Sequence, residues 1–197
     1  VTEPDLKSAD EAVAFARELQ LILRYLGVAD ADMEKGQMRI EANVSVGQMA
    51  NGQWQIGVKT ELKNINSFRF AKDAIDYEIK RQIGALEKGE EITQETRGWD
   101  EAKKKTVSQR SKEEAHDYRY FPEPDLPPLE TNIFNLPEIR KSLPELPGAR
   151  RPRFVKEYGL GAAEAEALVA EKPLADYFEG AVSEFRALGG KDLRLVF

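Results

Sequence analysis

Apolar positions along the chain follow two periods. From Ser8 to Leu26, the residues Phe15, Leu19, Ile22, Leu23 and Leu26 recur at helical spacing; Ser8 with Glu11 fits a capping box and Gly27 supplies a stop, so the pattern predicts an amphipathic helix. From Met38 the period becomes two: Met38, Ile40, Ala42, Val44 and Val46 alternate with Arg39, Glu41, Asn43 and Ser45. After a turn containing Asn51 and Gly52, Trp54, Ile56, Val58, Thr60 and Leu62 alternate with Gln55, Gly57, Lys59, Glu61 and Lys63. These are two half-buried strands of a hairpin.

Register follows from parity, because a slip of one residue would turn apolar side chains onto the polar face. Both apolar sets carry even numbers, which requires an odd loop length. A three-residue loop of Ala50, Asn51 and Gly52 sets Glu41 opposite Glu61, Asn43 opposite Lys59, Arg39 opposite Lys63 and Gln48 opposite Trp54. A longer odd loop shifts the partners but keeps both glutamates on one face. Carboxylates directly opposed have Cβ atoms about 5 Å apart and repel unless neutralised. A bound cation would neutralise them; so would Arg39, Lys59 and Lys63 on a solvated face, and on spacing alone that plainer reading is the stronger.

Beyond the hairpin, Asn66 or Ser67 caps a predicted helix whose core stripe is Ala71, Ile75, Ile79, Ile83 and Leu86, closed by Gly89. From Ile92 to about Arg110 a second strand pair is expected around a charged turn at Asp100 to Lys105. The four prolines between Asp117 and Glu130 impose extended chain, as a linker or the wall of a cleft. From about Pro137 to Leu188, short helical patterns separated by Gly and Pro indicate a helical unit, so the expected domains are 1–130 and 131–197. Its Arg150, Arg151, Arg153 and Lys156 form a basic cluster that suits either RNA or a solvated helix face.

Composition narrows the chemistry. The absence of cysteine removes disulfides and thiolate metal sites, and a single histidine, His116, removes a multi-histidine zinc cluster. A metal here would be a hard cation on oxygen ligands. Ser111 and His116 lack a partner arrangement for nucleophilic catalysis. Neither GxxxxGK[ST] nor GxGxxG occurs, so an ATP site would be of neither the P-loop nor the Rossmann kind. A net charge of −6 argues against gripping nucleic acid over the whole surface. Apolar runs too short for a bilayer indicate a soluble cytoplasmic protein without membrane contact. The start at Val1 and the apolar finish at Leu195, Val196 and Phe197 suggest an internal piece of a longer protein.

The strings MRIEANVSV, TELKNINSFRFAKDAIDYEIKRQ, QETRGWDEAK and SQRSKEEAHDYRYFPEPDLPPLE resemble, in order, signature blocks of the B subunit of the Asp/Glu-tRNA amidotransferase, and LPELP and LADYFEGAV fit the same family. The resemblance implies an α+β fold, a glutamine-synthetase-like cradle built on an antiparallel sheet, followed by the start of a helical domain. It implies ATP and Mg²⁺ as cofactors, used to phosphorylate the side-chain carboxylate of Glu or Asp on misacylated tRNA so that ammonia displaces phosphate. The implied partners are the amidase subunit, which supplies the ammonia, the small subunit that braces the pair, and the misacylated tRNA itself. Acidic residues at the positions of Glu41 and Glu61 are similar to the family's magnesium ligands, which agrees with the shared face and favours the metal over mere screening. Lys59, Lys63 and Arg97 are candidates to hold ATP or phosphate. The family more often has aspartate after cysteine where this chain has Glu41 after Ile40. Its amino-terminal Gly-Leu-Glu-Val-His block and carboxy-terminal tail domain have no counterpart here, so the chain alone is expected to fold without catalysing. The competing expectation is a noncatalytic module docking the amidase subunit or the tRNA acceptor end.

Overall fold

The computed structural model describes residues 1–50, 52–111 and 124–190. These form two compact units: Val1–Arg17 with Asp32–Thr131, and Glu18–Ala31 with the chain from Asn132. Helix α1 (Ala9–Leu26) contributes its first half to one and its second half to the other. Its start is capped as expected, with Ser8 Oγ accepting from the Glu11 amide at 3.1 Å.

The first unit is a four-stranded sheet with a helix across one face. Strands β1 (Ile40–Val44), β4 (Thr60–Ile65), β5 (Glu95–Asp100) and β6 (Lys105–Ser111) are hydrogen-bonded in that order, while β2 (Gln48–Ala50) and β3 (Gln53–Gln55) form a separate two-stranded ribbon. Helix α2 (Phe68–Glu87) joins β4 to β5, and such a crossover returns the chain in the same direction. The sheet is therefore mixed: β4 and β5 run parallel, β1/β4 and β5/β6 antiparallel. This corrects the wholly antiparallel sheet expected from the sequence. The strand pair around the charged turn at 101–104 is present as anticipated.

The hairpin departs from parity in an instructive way. Its tip closes with Gln48 opposite Gln55 and Met49 opposite Trp54, whereas farther down Val44 pairs with Thr60 and Asn43 with Glu61. Between these ladders one arm has three residues (45–47) and the other four (56–59), so the even register of the base becomes odd at the tip. Neither arm is strand there. The Val46 amide donates to Gln82 Oε1 at 3.0 Å, and Gln82 Nε2 donates to the Val44 carbonyl at 3.1 Å, so a helix side chain replaces the strand partner. Gly57 passes so close that a Cβ there would lie 2.3 Å from the Val46 carbonyl oxygen. In consequence Ile56 and Val58, expected to be buried, are exposed.

The core of this unit joins Val44, Leu62, Ile65 and Trp99 to Ala71, Ala74 and Ile75 of α2. Ser67 caps the helix, its side chain accepting from the Phe70 amide. Its buried stripe runs Ala71, Ala74, Ile75, Glu78 and Gln82, while Ile83 and Leu86 of the expected stripe are exposed. The helix is rotated from the orientation apolarity alone suggests, because the sheet offers Glu78 and Gln82 enough polar partners to hold them inside.

In the second unit, α3 (Leu136–Ser142), α4 (Pro147–Tyr158), α5 (Ala162–Val169) and α6 (Lys172–Ala187) follow a short 3-10 turn at Thr131–Ile133. Its core is Tyr25, Phe154, Leu168, Val169, Phe178 and Val182, with the rings of Phe154, Tyr158 and Phe178 mutually packed at 5.2–5.5 Å. The basic cluster is not an open patch. Arg150 bonds Asp176 and Glu179, Arg151 bonds Glu18 and Glu166, and Arg153 bonds Glu145, Glu157 and Glu179. Only Lys156 of the four has the character of a solvated face. Of the proline-rich segment, residues 112–123 with His116 lie outside the described residues.

Candidate active site on the open face of the sheet

The face of β1 and β4 turned away from α2 carries Glu41, Asn43, Glu61 and Lys63, since the alternating Ala42, Val44, Thr60 and Leu62 point to the core side. Glu41 and Glu61 therefore share a face. They are not directly opposed: Glu61 lies across from Asn43. The ladder steps from Ala42↔Leu62 to Ile40↔Ile65, so two residues of β4, Lys63 and Asn64, oppose the single Glu41. Asn64 absorbs this bulge at φ 61°, and its side-chain amide donates to the Trp99 carbonyl at 3.2 Å.

Lys63 stands between the two carboxylates. Its Nζ lies 3.4 Å from Glu41 Oε1 and 3.7 Å from Glu61 Oε1. Glu61 Oε2 accepts from Thr96 Oγ1 at 2.9 Å, a contact made possible by the parallel pairing that sets Thr96 beside Glu61. Thr96 is a member of the cluster that periodicity did not single out; its position depends on which strand follows the crossover. Among the described residues no three acidic or imidazole side chains converge as a metal cage. Lys59 is exposed in the irregular stretch before β4.

Arg97 is elsewhere. It projects from β5 toward α2, where Nη1 donates to Glu95 Oε1 at 2.6 Å, Nη2 to the Thr106 carbonyl at 2.9 Å and Nε to Thr106 Oγ1 at 2.9 Å. Beneath it Glu78, fully buried, accepts from Arg81, Gln82 and Thr106. Burial pushes the Glu78 carboxyl up, but the hydrogen bonds from Arg81, Gln82 and Thr106 and the charge of Arg81 prevail and hold it below the ordinary range. The arginine expected to hold phosphate is thus committed to a structural network on the opposite face. The spacing of 78 and 82 with Ala71, Ala74 and Ile75 is the signal that could have revealed this network.

Comparison with known proteins leads to the same family. Residues 1–133 match the GatB/GatE catalytic domain. The chain is 53% identical over 191 residues to the B subunit of the aspartyl/glutamyl-tRNA(Asn/Gln) amidotransferase of Thermodesulfovibrio yellowstonii, covering 97% of this chain and 39% of that protein. It is 53% identical over 186 residues to the same protein from Myxococcus xanthus, and 55% identical over 182 residues to that from Oleidesulfovibrio alaskensis, covering 94% and 92% of this chain and 38% of each relative. It thus spans about two fifths of the length of the curated relatives it matches. No described helix is long and apolar enough to cross a membrane. With a family match over residues 1–133 and half of its residues identical to these relatives, the chain belongs to the GatB/GatE family.

Proposed function

We propose that this chain carries part of the site at which a tRNA-dependent amidotransferase activates the side-chain carboxylate of Glu or Asp on misacylated tRNA. A carboxylate oxygen of the aminoacyl group attacks the γ-phosphorus of ATP, the bond to the β-phosphate oxygen breaks, and ADP leaves. Ammonia then attacks the acyl carbon, phosphate departs, and the nitrogen sheds a proton to give the amide. The observation that carries this reading is the Glu41–Lys63–Glu61 cluster on the open face, held by a bulge and by Thr96.

The donor set suits magnesium. The two carboxylates and the Thr96 hydroxyl beside them are hard oxygen groups, and the Lys63 ammonium already stands as a cation between the carboxylates. Glu41 and Glu61 would hold the ion, which when bound draws charge from the transferring phosphoryl group. Lys63 and Lys59 supply positive charge for phosphate oxygens; Arg97 has no share in this. The glutamine-synthetase-like cradle, the ammonia-supplying amidase and the small bracing subunit complete the proposal, with work in the cytoplasm on soluble tRNA. The tRNA-amidotransferase reading draws support from the names of the relatives, each the B subunit of an aspartyl/glutamyl-tRNA(Asn/Gln) amidotransferase.

The test uses the full-length protein in complex with its partners. Glu61→Gln should lower ATP-dependent amidation of misacylated tRNA by about a hundredfold while leaving glutamine hydrolysis in place. Unchanged amidation would overturn the metal role and favour a docking module. The 197-residue chain alone should amidate nothing from added ammonium, since phosphoryl transfer needs every positioning group at once.

A further inference from the structure

We infer that Arg97 is a positioning residue: from the buried face of the sheet it fixes strand β5 so that Thr96, the residue before it, directs its hydroxyl at Glu61 on the open face. This rests on the reading of the open face as part of the activation site, and it gives the QETRGWDEAK block a role other than direct contact with phosphate.

Alternation along β5 sends neighbouring side chains to opposite faces. Thr96 is buried, and its hydroxyl donates to Glu61 Oε2 at 2.9 Å. Glu95 and Arg97, on either side of it, point toward α2 and are tied to each other, with Arg97 Nη1 donating to Glu95 Oε1 at 2.6 Å. Arg97 also reaches the adjacent strand, where Nη2 donates to the Thr106 carbonyl and Nε to the Thr106 hydroxyl, each at 2.9 Å. The helix holds both residues: Arg81 Nη2 lies 3.8 Å from Glu95 Oε1, and Glu78 Oε2 lies 3.6 Å from Arg97 Nε. The backbone on both sides of Thr96 is thus bracketed from behind.

The bracket stands where the strand ladder is irregular. Thr96 pairs with Arg110 but Arg97 with Ser108, so Gln109 of β6 has no residue opposite it. A bulge of this kind raises the local twist and can re-aim nearby side chains, so the ladder alone does not set the direction of Thr96. Arg97, bonded to Thr106 on the regular side of the bulge, supplies the missing constraint. Threonine then makes backbone position decisive: its branched Cβ restricts rotation about χ1, and the hydroxyl follows the strand. A hydrogen bond to a carboxylate depends on short range and good alignment, so a displacement of β5 lessens the hold on Glu61. Glu61 has other partners, Lys63 among them, so loss of Thr96 loosens the carboxylate without freeing it.

The test measures ATP-dependent amidation by the full-length protein in complex with its partners, with kcat and KM separated, and with glutamine hydrolysis and urea unfolding as checks on folding. Thr96→Val, which keeps the branched shape and removes the donor, should lower kcat by about tenfold with KM for tRNA unchanged. Thr96→Ser restores the hydroxyl and should recover all but about threefold of the loss. Arg97→Lys keeps a cation beside Glu78 but lacks the fork that reaches Glu95 and Thr106 together, and should lower kcat by about three- to tenfold. Combined with Thr96→Val it should add nothing, because Arg97 acts through that hydroxyl. Multiplied losses in the double variant, or an unchanged kcat in Arg97→Lys, overturn the inference. An unchanged kcat in Thr96→Val when Glu61→Gln lowers it also overturns the inference and leaves the activation site standing. An unchanged kcat in Glu61→Gln overturns both. If Arg97→Lys does not fold, Thr106→Val, which removes one acceptor of the same guanidinium, takes its place in the cycle with the same outcomes.

Discussion

The sheet of the first unit carries carboxylates on both faces, and the two faces treat them oppositely. Under α2, Glu78 is fully buried and accepts hydrogen bonds from Arg81, Gln82 and Thr106, with the guanidinium of Arg97 3.6 Å away. On the open face, Glu41 and Glu61 share one lysine, and Thr96 steadies Glu61. A buried charge survives only with its hydrogen-bonding capacity met and charge opposite, and that makes it part of the framework. Glu41 and Lys63 are about half exposed, and a solvated ion pair of that kind contributes little to stability. Accessibility of Glu41 and Lys63, more than the number of charges, distinguishes the candidate site.

Removing Glu78 puts this contrast between the faces under the greatest strain. Glu78→Ala should destabilise the first unit by about 3–5 kcal/mol in urea unfolding, because Arg97 and Arg81 lose their buried counter-charge. A loss below about 1 kcal/mol would show that the network is no framework. Next comes the backbone approach beside it: Gly57→Ala places a Cβ against the Val46 carbonyl and should cost about 1–3 kcal/mol by the same measurement.

The second unit extends the contrast to pH. Glu179 accepts from Arg150, Arg153 and Tyr158. Burial pushes its carboxyl up, yet these donors outweigh it and bring the pKa down to about 2. Because the folded-state pKa lies below the ordinary 4.5, its stabilisation is complete above that value and lost as pH falls toward about 2. In an acid titration followed by circular dichroism, Glu179→Gln should show less loss of stability across that window than the parent chain. Equal loss would mean that other carboxylates carry the transition. The smallest effect belongs to the open face: Glu61→Gln should alter stability by no more than about 0.5 kcal/mol in urea unfolding, whereas a loss near that of Glu78→Ala would place it in the framework.

Elements with local signals were legible in the amino-acid sequence. Ser8 and Ser67 cap their helices because a hydroxyl three residues before an amide needs no tertiary partner. The alternation along 40–44 and 60–62 put Glu41 and Glu61 on one face because side-chain direction in a strand follows position alone. The rest depended on contacts between distant segments. Pairing of Glu61 with Asn43 depends on an extra residue before β4, and the two-against-one stretch opposite Glu41 on a bulge at Asn64, where α2 and β5 offer the backbone and side chain their partners. Thr96 reached Glu61, and Arg97 turned to Glu78, only because α2 returns β5 parallel to β4. Glu78 and Gln82 could be buried ahead of Ile83 and Leu86 because partners distant in sequence satisfied them. Burial of polar groups is decided by which donors and acceptors the fold brings within about 3 Å, a quantity that no periodicity along the chain contains.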